Sequence, residues 1–479
     1  MENFRQKVVS GFAWEGGTRL IVQIVSWVST IWVARILVPE DYGMVAISGI
    51  FTGLGVRVAG MGLGNAIVNR KVVKEEHVSS VFFVCLLAAA VIYALLYIAS
   101  PAIARYFSFD DLDQVVRVAG LIVVLSSLGI VPQAVAMRRL MLKEAALIRM
   151  ASSLIVTLVT LSMAFAGFGY WSLIISVMVA EAFIVLSFWR LVRFVPVRAV
   201  NMLVVVPYFR YGSKVAGGGI VEYANKHWPI AIIGAFLGQT ATGYFQMATV
   251  LARMPSDKIG QIFASIAFPA FSRIRGDATR TRSVFIRINT VLYLITLPMF
   301  LGLAVVADDL IPLLIGEKWA PIAPILQIMC VANVLLIGSS LASRVLDSLS
   351  YPQYPLRFQL ILFFLLPVSM LAGLRWGLVG VTIAWATVIP FAYVYLMERL
   401  THSIESSLGE LVGPMRTVIA SSTIMIVAVV FSNFVTHSLG MPRLLEVGAL
   451  IGTGIAAYLL SVFLLDSQIF KELLSLAKR

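Results

Sequence analysis

The chain has 479 residues, of which 60% are hydrophobic and 13% charged, and a formal net charge of +13. A soluble domain carries about a quarter charged residues and cannot hide this much apolar surface, so the composition excludes a water-soluble globular protein. Lipid is the implied solvent, and in lipid apolar runs of about 20 residues must be helices, not open sheet, which predicts an all-α integral membrane protein.

Taken in chain order, apolar windows bounded by charge, glycine and proline begin near Gly11, Tyr42, Ser79, Leu112, Ala146, Tyr170, Tyr211, Thr240, Ser283, Ala320, Leu356, Leu378, Met415 and Leu444. They predict about fourteen transmembrane helices. The polar start, Met1 to Ser10, does not read as a removable signal peptide, and the run near Gly11 to Val38 is long enough to span and stay. Every second connection is basic: Arg70, Lys71 and Lys74; Arg138, Arg139 and Lys143; Arg190, Arg193 and Arg198; Arg273, Arg275, Arg280 and Arg282. The others, such as 108–113 and 433–442, are nearly free of Lys and Arg. This pattern places the basic loops and both termini in the cytoplasm. Basic residues spread over many short loops form no stripe for nucleic acid, which is not expected as a partner. Cys85 and Cys330 fall inside apolar runs and read as unpaired structural residues.

The chain reads as duplicated. Arg35-Ile36-Leu37-Val38-Pro39 up to Tyr42-Gly43 returns, shifted by about 200 positions, as Ala235-Phe236-Leu237-Gly238-Gln239 up to Thr242-Gly243-Tyr244, each at a hinge between helices. Gly17 matches Gly217 in the same register, and Ser80-Val81-Phe82 resembles Ser283-Val284-Phe285. The expected organisation is a six-helix lobe over 1–197, a cytoplasmic interfacial linker over 198–210, a second six-helix lobe over 211–400, and an additional helix pair with a cytoplasmic tail over 401–479. Two repeats with both ends inside are related by a pseudo-two-fold axis along the membrane normal, an arrangement that encloses a shared cavity and suits a transporter.

A charge at mid-membrane costs about 2.5–3.5 kcal/mol, so ionisable residues within spans are candidates for function unless they snorkel to an interface. Glu15 and Arg19 stand four apart on the first helix, as do Glu222 and Lys226 on the seventh, so each acid shares a face with its base. They pair either for function or as neutralised fasteners between helices. Arg57 and Arg253 occupy comparable positions on the second and eighth helices, and Asp257, one turn on, is placed to hold Arg253. With Lys214 on the seventh helix, Arg19, Arg57, Lys226 and Arg253 form a candidate cationic lining for a desolvated anion, each with snorkelling as its rival reading. Glu181 on the sixth helix is a candidate for proton coupling, with helix packing an equal rival, and Glu15, Glu222 and Asp257 are the pairing acids. Gly217-Gly218-Gly219 and Pro229 are expected to weaken and interrupt the seventh helix. His227 reads first as a hydrogen-bonded structural residue. There is no Walker A pattern, no His-Glu-x-x-His and only four histidines, so no catalytic residue or metal ligand is assigned.

Several segments carry a resemblance: Ala34-Arg35-Ile36-Leu37 with Tyr42-Gly43, Asn69-Arg70-Lys71, Phe268-Pro269-Ala270-Phe271, and Gly316-Glu317-Lys318-Trp319 followed by Pro324-Ile325-Leu326-Gln327. On these the chain resembles the polysaccharide flippases of the multidrug, oligosaccharidyl-lipid and polysaccharide exporter superfamily, of the colanic-acid exporter type. The resemblance implies two facing lobes and alternating access of a cationic cavity. It implies movement of an undecaprenyl-pyrophosphate-linked oligosaccharide across the bacterial inner membrane for exopolysaccharide or lipopolysaccharide synthesis. The expected partners are that lipid-linked oligosaccharide, membrane lipid and the polysaccharide polymerase machinery; no cofactor is expected, and proton or sodium coupling stays open. The alternatives are a cation-coupled multidrug exporter of the same superfamily, against which the basic bias argues, and a membrane glycan polymerase or ligase, against which the short outward loops argue.

Overall fold

The computed structural model describes residues 25–70, 74–197, 202–274 and 276–466. Every regular element among them is helical. In chain order they are α1 (Val25–Ile36), α2 (Pro39–Gly60), α3 (Leu63–Asn69), α4 (Glu75–Phe107), α5 (Leu112–Arg138), α6 (Leu142–Phe165), α7 (Trp171–Val192) and α8 (Met202–Arg273). There follow α9 (Ala278–Val305), α10 (Ala307–Ile315), α11 (Ala323–Ser348), α12 (Gln353–Gly373), α13 (Gly377–Ser403), α14 (Leu408–Val412), α15 (Arg416–Ser438) and α16 (Arg443–Leu465). Ten helical stretches among the described residues are long and apolar enough to cross a membrane, so the chain is a multi-pass membrane protein. Large apolar side chains face outward from the helices, among them Ile98, Phe391 and Phe434 at 75%, 73% and 76% exposure, as lipid-facing residues do.

The 72 residues of α8 would reach about 108 Å as one straight rod, over three times the hydrocarbon thickness. The rod is broken at Gly238, whose φ of 84° and ψ of −175° are open to a residue without a Cβ. The spans predicted from Tyr211 and Thr240 are thus its two arms. One expectation is corrected: Pro229 does not interrupt the first arm, and Gly238 is where the backbone leaves the helical region. Pro229 forfeits one intrahelical hydrogen bond, a loss of the kind that membrane helices commonly tolerate.

The chain divides into two compact units, Met1–Gly243 and Tyr244–Arg479. In the first, α5 is central: α2, α4 and α7 pack against it, and α6 packs on α7. One of its apolar clusters joins Ile67 of α3, Phe82 and Cys85 of α4, Val131 of α5, and Val205 and Tyr208 of α8. The basic residues at the end of α5 also cap helices. Arg138 Nη1 donates to the carbonyl oxygens of Ile67 (3.0 Å), Val68 (3.4 Å) and Arg70, where α3 ends and its carbonyls would otherwise lack partners. Arg139 Nη1 donates to the Val192 carbonyl at 3.2 Å, at the end of α7. In the second unit α9 packs on α11 and α15, and α13 on α11 and α12. The terminal pair α15 and α16 joins α9 through Met425, Val429, Leu450 and Tyr458, whose hydroxyl donates to the Leu294 carbonyl at 2.7 Å.

The two copies of the repeated hinge segment meet within the first unit. A Cβ on Gly43 would lie well under 3.0 Å from the carbonyl oxygen of Gln239, and one on Gly243 equally close to the carbonyl oxygen of Pro39. Because Pro39 and Gln239 occupy the same place in the repeat, as do Gly43 and Gly243, each copy presses its glycine on the other copy's backbone. Around this contact Thr240 Oγ1 donates to Glu40 Oε1 at 2.6 Å and Gln239 Nε2 to the Glu40 carbonyl at 2.9 Å. Asp41 completes the local structure, accepting from the backbone N–H of Val38 at 3.0 Å, across the first turn of α2, and from that of Tyr170 at 2.9 Å, just before α7.

Candidate functional site

On α2, Gly49, Gly53 and Arg57 follow one another at intervals of four, so they share one helix face. The absence of a side chain at Gly53 leaves a groove there that admits a neighbouring side chain. Tyr223, on the first arm of α8 and only 5% exposed, fills it. Its hydroxyl lies 2.9 Å from the Gly49 carbonyl oxygen and 2.8 Å from that of Ile50, donating to this pair. Its ring lies under Arg57, whose guanidinium carbon is 4.2 Å from the ring centroid, a cation–π contact. Arg57 Nη1 also reaches the Gly53 carbonyl at 3.4 Å, a weak bond, and its side chain is otherwise exposed.

The same arm carries the predicted Glu222–Lys226 pair. Lys226 Nζ is 2.7 Å from Glu222 Oε1, with both side chains about half exposed at 47% and 53%. His227, one turn after Tyr223, stacks on its ring with centroids 4.0 Å apart. Arg57, Glu222 and Lys226 therefore belong to one packed pair of helices, with Tyr223 as the residue that joins them. Reading the sequence for charge passed over Tyr223, although the Gly-x-x-x-Gly-x-x-x-Arg spacing on α2 was the available signal.

The other candidates are placed differently. Arg253 lies on the second arm of α8, in the second unit, half-buried. Glu181 sits midway along α7, half-buried, without an ion-pair partner among the described residues. Lys214 and Asp257 belong to α8 by backbone, and their side chains lie outside the described residues, as do Glu15 and Arg19 altogether.

The model of a family described as "Polysaccharide biosynthesis protein" matches residues 32–324, more than half of the chain. The chain belongs to this family. Among its relatives is the lipopolysaccharide biosynthesis protein WzxC of Escherichia coli K12, 25% identical over 405 residues, which cover 81% of this chain and 79% of that protein. Among solved structures, the lipid II flippase MurJ in an inward closed conformation superposes with a TM-score of 0.80 at 15% identity, covering 95% of this chain and 99% of that one. A multidrug resistance MATE family transporter in an inward-facing conformation gives 0.61 at 15% identity, covering 80% and 96%. This chain thus has the helical fold of these transporters.

Proposed function

We propose that this chain is a flippase that carries an undecaprenyl-pyrophosphate-linked oligosaccharide from the cytoplasmic to the periplasmic leaflet of the bacterial inner membrane, supplying polysaccharide synthesis. Arg57 carries the reading furthest. It lies in a membrane-spanning helix, where a charge costs about 2.5–3.5 kcal/mol, and its guanidinium rests on an aromatic ring with no carboxylate paired to it among the described residues. Such a cation suits a phosphate that has shed its water, which needs charge-assisted donors and takes them best from arginine. Lys226, on the partner helix, supplies a second positive charge. Family membership and the names of the similar proteins, a lipopolysaccharide biosynthesis protein and a lipid II flippase, support a lipid-linked saccharide as cargo. The cycle is alternating access, and both termini face the cytoplasm, where the basic loops lie.

The multidrug transporter neighbour keeps a second reading in view, export of small organic cations. Arg57 and Lys226 would repel such cargo. Reconstitution decides between them: purified protein in liposomes should move a fluorescent undecaprenyl-pyrophosphate oligosaccharide between leaflets. Failure to do so, with export of a cationic dye, would overturn the flippase reading.

A further inference from the structure

An arginine that is to bind a phosphate has to be held still without having its N–H groups used up. A carboxylate partner fixes a guanidinium by occupying the same in-plane edge that a phosphate would take, so the two compete. An aromatic face fixes it differently: the ring takes the guanidinium through its flat side, leaves the edge available, and does not cancel the charge. Arg57 is held in this second way, with Tyr223 at 4.2 Å and, among the described residues, only the weak Gly53 contact on its N–H groups.

Tyr223 is itself over-determined. Its ring is buried in the groove of α2, its hydroxyl is tied at 2.8–2.9 Å to the Gly49 and Ile50 carbonyls, and His227 stacks on it. Gly53 makes the fit possible, since a Cβ there would stand 2.5 Å from the hydroxyl oxygen and 3.2 Å from the ring carbon that bears it. Gly53, Arg57 and Tyr223 therefore form one device, in which the glycine admits the ring and the ring places the guanidinium.

We infer that Tyr223 is a positioning residue for cargo recognition: it holds Arg57 on α2 with its N–H edge directed to the pyrophosphate, and so sets what Arg57 contributes to binding. This rests on the flippase reading, and specifically on Arg57 meeting the phosphate.

The test uses the full chain in lipid nanodiscs with undecaprenyl pyrophosphate as the probe, comparing Tyr223→Phe, Tyr223→Leu and Arg57→Ala with Arg57→Ala/Tyr223→Leu at equal amounts of folded protein. Tyr223→Leu should weaken binding by about two- to thirty-fold, the range that a cation–π contact spans. Tyr223→Phe keeps the ring and should stay within about two-fold of the unaltered chain. In the Arg57→Ala background Tyr223→Leu should have no further effect. Gly53→Ala, which pushes the ring from its groove with both side chains intact, should lower affinity in the same background-dependent way and serves if Tyr223→Leu does not fold. Additive losses in the double variant, or equal losses for Phe and Leu, would overturn the inference and leave the flippase reading intact. A silent Arg57→Ala would remove Arg57 from the phosphate site and take the inference with it, while movement of the lipid-linked oligosaccharide by the unaltered chain is scored separately.

Discussion

Replacing Gly243 by Ala puts a methyl group against the backbone of Pro39. Its three nearest atoms there are the carbonyl oxygen, the carbonyl carbon at 2.6 Å and Cα at 3.1 Å, none of which can turn away as a side chain would. The hinge copies have to part by about 1 Å, an overpacking that typically costs about 1–3 kcal/mol. Parting also loosens the bonds of Thr240 and Gln239 to Glu40, each worth about 0.5–1.5 kcal/mol, against about 1 kcal/mol gained in helix propensity. The net expectation is a loss of about 1–5 kcal/mol, read as a lowered midpoint in denaturant unfolding of the detergent-solubilised protein. Gly49→Ala is the control: on the same helix as Gly43, its added Cβ meets nothing within 4 Å and it should be neutral or slightly stabilising. Gly43→Ala together with Gly243→Ala should cost less than the sum of the two, since copies already parted by one methyl group have room for the second. Equal stability of Gly243→Ala and Gly49→Ala would refute the close contact.

Glu222→Gln breaks an exposed pair worth only about 0.3–0.5 kcal/mol, so thermal stability should barely move, while release of Lys226 should tighten undecaprenyl pyrophosphate binding by roughly two- to five-fold in a direct binding assay. Arg57→Ala and Arg253→Ala should lower transport in proteoliposomes without lowering the amount of inserted protein, whereas Lys318→Ala should change neither. Asp309, on α10 outside the spans, is pushed above its ordinary carboxylate value by partial burial first and then by Glu446 and Asp308, with His437 and Arg443 pulling the other way. A raised value in the folded state means that its stability contribution is complete below the ordinary value of 3.8 and is lost as pH rises through the raised one. Asp309→Asn should therefore have the higher melting temperature at neutral pH, with the difference closing as pH falls toward 3.8 in a thermal scan series.

Much of the helix layout was legible because each span is an unbroken apolar run. The start read at Leu112 coincides with that of α5, and those read at Tyr170, Leu378, Met415 and Leu444 fall within one residue of α7, α13, α15 and α16. The short α3 and α10 went unread, since seven to nine residues leave too little periodicity to separate from a neighbouring span. The Glu222–Lys226 pair was legible because its four-residue spacing settles the geometry on a helix. Tyr223 was not, because its partners Gly49 and Arg57 lie some 170 positions away, and local spacing carries no information about which helix fills a groove. Gly238 and Pro229 show the same division: the sequence marks both as weak points, and φ at Gly238 decides which one breaks.

The meeting of the two hinge copies has the form of an isologous interface, in which position i touches j and j touches i, as in a two-fold homodimer. In a homodimer one codon governs both halves of such a contact, so a single glycine-to-alanine change would bring in two methyl groups at once. Here the two halves are written at separate places in one chain, and Gly43 and Gly243 can be altered independently. Two separately placed glycines thus replace an all-or-nothing symmetric constraint by two half-sized ones, so that either face of the hinge can change while its counterpart holds the fit. Pro39 and Gln239, at matching places in the two segments and unlike in chemistry, already show the two faces carrying different residues.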